Sequence, residues 1–127
     1  MKINWKIHKP ILIKALKELS DRDYQVKVWL NTGANLGMTL SFTEAVNNVF
    51  DDACVSGALE ENLIIFDKKV TRALQELHDA TDAVDEFRSG EEIINDPLME
   101  IVRKKAAIAL DLIKSSDGSE GNIEIVE

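Results

Sequence analysis

Cysteine occurs once in this 127-residue chain, at Cys54, and a single thiol excludes an intramolecular disulfide. It follows Asp51 and Asp52 with no basic neighbour, so it reads as a small buried hydrophobe and not as a nucleophile. Histidine occurs twice, at His8 and His78, and the two are remote in sequence. His78 and Asp82 are spaced i,i+4, but a metal site needs a third ligand that the sequence does not supply nearby. Glycine-rich dinucleotide loops and Lys-Ser/Thr phosphate loops are missing. Gly33 and Gly37 fall in the polar stretch 31–37, away from any strand-to-helix turn. Aromatic residues make up only 6% of the chain, too few for the platforms of a sugar cleft, so its carboxylates do not suggest glycoside hydrolysis. No nucleophile, base and oxyanion donor can be brought together from the sequence. The expectation is a protein with no catalytic residues, no cofactor and no metal.

Long apolar runs are also missing. Nothing approaches the roughly 20 residues needed to span a bilayer, and the opening Met1-Lys2-Ile3-Asn4-Trp5-Lys6 lacks the apolar core of a secretion signal. A cytoplasmic protein that does not enter membranes is expected. Positive charge is in the minority, with 15 Lys and Arg against 23 Asp and Glu, a formal net charge of -8. Affinity for nucleic acid comes largely from Lys and Arg displacing counterions, so this balance argues against a nucleic-acid binder and for a basic protein partner. High solubility is the simpler consequence of the same charge.

What the chain does have is apolar periodicity. Hydrophobic residues are 45% of it, enough for one continuous core at this length. Leu63, Phe66, Val70, Ala73, Leu77, Ala80, Val84 and Phe87 alternate in steps of three and four, which predicts one long helix from between Leu59 and Leu63 to about Phe87. Leu12, Ala15, Leu16 and Leu19 predict a helix after Pro10, and Tyr24, Val28 and Trp29 a short one capped by Ser20 or Asp21. Ser41 and Glu44 have capping-box spacing ahead of Phe42, Ala45, Val46, Val49 and Phe50. Asp96 and Pro97 open a last helix with Leu98, Ile101, Val102, Ala109, Leu112 and Ile113 as its core stripe. The reading is an all-α, single-domain bundle of about five helices over residues 1–114. Residues 115–127 read as a flexible polar, acidic tail, whose Ile123-Glu124-Ile125-Val126 alternation also suits strand addition to a partner.

Asp79, Asp82 and Glu86 fall on one stripe of the predicted long helix, flanked by Asp85. Like charges this dense destabilise a helix, and they crowd its C-terminal end, where the dipole disfavours anions. A feature that costs stability twice is a candidate for partner binding, with Asp51 and Asp52 as possible additions. The alternative is that Arg103, Lys104 and Lys105 of the last helix neutralise the stripe.

The runs Leu16-Lys17-Glu18-Leu19-Ser20-Asp21-Arg22-Asp23-Tyr24-Gln25, Val28-Trp29 and Phe42-Thr43-Glu44-Ala45-Val46-Asn47-Asn48-Val49-Phe50-Asp51-Asp52 resemble a family of small bacterial helical proteins. The resemblance extends over roughly residues 12 to 113 and is sharpest from Phe42 to Asp52. Some members are similar to the immunity partners of polymorphic toxins, including those of contact-dependent growth inhibition. The resemblance implies an immunity protein that neutralises a cognate toxin domain, often a nuclease, by direct binding, and implies no catalytic residue. The other expectation is a non-enzymatic regulatory or adaptor protein that binds a host protein. The sequence sets no oligomeric state.

Overall fold

The computed structural model describes residues 6–30 and 41–127, and the stretch 31–37 lies outside them. Strand β1 (Lys6–His8) leads into helix α1 (Lys9–Ser20), with Pro10 in the first turn, where its missing N–H has no intrahelical partner to lose. Leu12, Ala15, Leu16 and Leu19 are buried, as their spacing predicts. Asp21 caps α2 (Arg22–Tyr24) by accepting from the Tyr24 N–H at 3.1 Å, and the backbone continues as a π-helical turn through Gln25–Trp29. Helix α3 (Ser41–Asn47) runs likewise into a π-helical turn at Asn48–Asp52. Phe42, Ala45, Val49 and Phe50 are buried there, and the Phe42 ring meets Trp29 edge-on at 6.2 Å. The side chain of Ser41, half of the expected capping box, lies outside the described structure. Cys54 is half-buried rather than enclosed, in the left-handed region at φ 68°, just before α4 (Val55–Glu60).

The long helix expected to end at Phe87 is broken on both sides. At its start, α4 closes in a Schellman arrangement: Asn62 takes φ 57°, Leu63 N–H donates to Ala58 O at 2.9 Å and Asn62 N–H to Leu59 O at 3.1 Å. Phe66 adopts φ 63°, and Asp67 caps a new helix, α5 (Lys68–Asp82), by accepting from Val70 N–H at 2.8 Å. At its end the last turn tightens, with Ala83 and Val84 N–H donating to Ala80 and Thr81 carbonyls. Asp85 accepts from Phe87 N–H at 3.0 Å, and Ser89 and Glu92 form a full capping box for α6 (Gly90–Ile94). Val70, Ala73 and Leu77 do belong to the buried face, joined by Leu74. Phe87, expected as the end of the seam, is 90% exposed.

Asp96 and Pro97 open α7 (Pro97–Ser115) as expected, Asp96 accepting from Leu98 N–H at 2.8 Å. The buried face is rotated from the predicted stripe: Val102, Ala109 and Ile113 are in it, but so are Met99, Arg103, Ala106 and Leu110, while Leu98 and Ile101 face outward. The cause is tertiary, because α7 packs along both α1 and α5 and each helix takes one flank of it.

The segment after α7, expected as a flexible tail, is docked. Strand β2 (Glu124–Val126) pairs in parallel with β1, Ile7 opposite Ile125, so the two ends of the described chain are tied together. Asn122 exchanges two hydrogen bonds with the Ile64 backbone, at 2.6 and 3.0 Å, and Glu120 accepts from Lys68 N–H at 3.0 Å. A Cβ on Gly121 would lie 3.1 Å from Phe66 N and 3.2 Å from Ile64 O, tighter than an ordinary contact, so a side chain there would require the 64–66 backbone to give way slightly. The fold is therefore mostly helical, with seven helices among the described residues and not about five, and with a two-stranded parallel sheet that an all-α reading does not contain.

Candidate functional site: an acidic groove between two helices

The C-terminal half of α5 carries His78 and Asp82, and the turn after it carries Val84 and Glu86. Across from them stand Phe42, Val46, Phe50 and Asp51 of α3 and its π-helical turn. Between the two runs a groove of about 280 Å³, with Asp51, Asp82 and Glu86 among the residues that line it. Three carboxylates thus border a groove whose exposed lining is more polar than apolar, with Phe42 and Phe50 buried beneath it. The volume falls just below the roughly 300–1,000 Å³ of sites that enclose a small molecule, and suits side chains reaching in from a partner.

The groove is fixed by specific contacts. Glu86 Oε2 accepts from Thr43 Oγ1 at 2.8 Å, tying the turn after α5 to α3. The Phe50 and His78 rings meet edge-to-face at 5.0 Å and 89°. His78 Nδ1 lies 3.6 Å from Asp82 Oδ2 and 3.7 Å from Asp79 Oδ1, longer than a hydrogen bond, and is buried without a hydrogen-bond partner. Among the described residues no cluster of three or more His, Cys, Asp or Glu is arranged to hold a metal ion.

Of the six carboxylates singled out by sequence, the structure gathers Asp51, Asp82 and Glu86 and separates the rest. Asp79 is outside the groove lining and accepts from Gln75 Nε2 at 3.2 Å. Asp85 is a turn residue, bonded to Phe87 N–H with Arg88 Nε 3.9 Å away. Asp52 is exposed and not part of the lining. The stripe disperses because α5 ends at Asp82, so the helical spacing that aligned Glu86 with Asp79 stops there. Periodicity alone did not point to Phe42, Val46 or Val84 as groove residues, since an apolar position at helical spacing reads as core, and nothing local pairs Thr43 with Glu86.

The last helix does not supply neutralising cations in the expected way. Lys105 Nζ pairs with Glu76 at 2.7 Å, one turn before Asp79. Arg103 is buried and donates to Gln25, Glu100 and the Ile94 carbonyl. Burial, opposed by the nearby Glu100, pushes the Arg103 guanidinium pKa down from its ordinary value.

No helix among the described residues is long and apolar enough to cross a membrane. Comparison with protein-family models, with curated proteins and with solved structures returns no match.

Proposed function

We propose that this chain is an immunity protein that acts in the cytoplasm, binding a cognate bacterial toxin domain, a nuclease of the contact-dependent growth inhibition type, and covering its basic active-site cleft. It acts by occlusion and not by turnover. The observation that carries this reading is the predominantly polar groove that Asp51, Asp82 and Glu86 line together, with Glu86 held by the Thr43–Glu86 hydrogen bond. Lys and Arg side chains that normally meet substrate phosphates find carboxylates there. The formal charge of -8 adds long-range attraction, which raises the rate at which a basic toxin is captured.

The test is co-expression with a candidate nuclease toxin domain drawn from genes that neighbour this chain's own, followed by purification and a nucleic-acid cleavage assay. A one-to-one complex without cleavage is the expected result. Equal cleavage by the toxin domain with and without this protein overturns the reading.

A further inference from the structure

We infer that this chain forms a two-fold dimer through the outer face of α7, the occupant of that face being a second, antiparallel copy. Helices α1 and α5 cover the inner flanks of α7. Its outer line runs Ile101, Lys104, Ile108, Asp111, in steps of three, four and three that stack on one stripe. Ile101 and Ile108 are 46% and 51% exposed, and Leu98 extends the apolar strip at 38%. None of these residues lines the acidic groove.

The charges on this line identify the occupant. Lys104 and Asp111 stand equally far, on opposite sides, from the midpoint between Ala107 and Ile108. At about 1.5 Å per residue each is about 5 Å from that midpoint along the axis. A second copy laid antiparallel, midpoint on midpoint, sets Lys104 level with its Asp111 and Asp111 level with its Lys104, Ile108 packs across the two-fold axis, and Ile101 lies level with the alkyl stem of its Lys114. A parallel copy in register sets like charge against like. Self-complementarity on reversal is what an isologous interface requires, because every contact occurs twice. For a chain of formal charge -8 these two local attractions act against the general repulsion between copies, which salt also screens.

Sedimentation equilibrium of the full chain, from about 1 μM to about 1 mM, tests this. A single-helix interface is small, so a weak dimer populated toward the upper end of this range is expected. Ile108→Glu sets two carboxylates at the axis and weakens the dimer by about tenfold or more. Lys104→Glu weakens it by about fivefold, and the swap Lys104→Glu with Asp111→Lys restores wild-type affinity. All three positions are exposed, and unchanged thermal melts confirm that the variants fold. A monomer throughout the range, a dimer indifferent to Ile108→Glu, or a double swap without recovery each overturns the inference.

Discussion

Arg103 Nε on α7 donates to Gln25 Oε1 at 2.8 Å, joining residues 78 positions apart inside the domain. Each partner also closes a helix end: Gln25 Nε2 donates to the Glu18 and Leu19 carbonyls at the end of α1, and Arg103 to the Ile94 carbonyl at the end of α6. One polar network therefore satisfies the C-terminal carbonyls of two helices. Arg103→Ala strands Gln25 and Ile94 without donors, and a loss of about 2–4 kcal/mol is expected in urea denaturation. Arg103→Lys is expected to recover only part of it, since an ammonium lacks the planar fork that reaches three acceptors at once.

Leu77 is fully buried on α5, within the packing of α5 against α7. Leu77→Ala is expected to cost about 2–5 kcal/mol by denaturant titration, with the cooperativity of unfolding unchanged.

Deletion of residues 116–127 removes β2, uncovers Ile7 and strips the Ile64 backbone of both Asn122 hydrogen bonds. A fall of several degrees in the melting temperature is expected, where a flexible tail would give none. Asn122→Ala alone is expected to cost about 1 kcal/mol.

Asp96 is held below the ordinary carboxylate range first by the Leu98 N–H and then by Arg88, which donates at 2.5 Å. Glu76 is held low chiefly by Lys105. With folded-state values depressed, the unfolded chain takes up the protons first, so these groups stabilise the fold fully above about pH 5. That contribution is lost as pH falls through the folded-state values. Urea midpoints measured from neutral pH downward are expected to fall below about pH 4, and less steeply in Asp96→Asn, which keeps a capping side chain.

Asp51→Lys with Asp82→Lys reverses two of the three groove carboxylates and leaves the Thr43–Glu86 bond in place. Association with a basic toxin domain is expected to slow by about tenfold or more in surface plasmon resonance at low salt, while the thermal melt changes little. Added salt is expected to slow the wild type more than the variant, because screening acts on the attraction that the variant lacks.

Local signals in the sequence determined the parts of this protein that depend only on near neighbours. Pro10 and Pro97, the Asp21 and Asp96 caps, and the buried faces of α1 and α3 all appear where their spacing places them, because caps and helix faces are decided within a turn or two of backbone. Tertiary structure decided the rest. Residues 63–87 carry an uninterrupted three-four repeat, yet left-handed Asn62 and Phe66 and the Asp67 cap divide the start, and the turn from Ala83 to Ser89 divides the end. A periodic pattern records which positions are apolar and not whether the backbone between them stays helical. Arg103 reads as a surface cation and is buried because Gln25, remote in sequence, satisfies it. The last residues read as a tail because nothing in 115–127 reveals that Ile64 and Ile7 wait to pair with them. The carboxylates divided in the same way: their charge is written in the sequence, but only the end of α5 and the approach of α3 brought Asp51, Asp82 and Glu86 to one groove, since a side chain's neighbours are set by how helices pack.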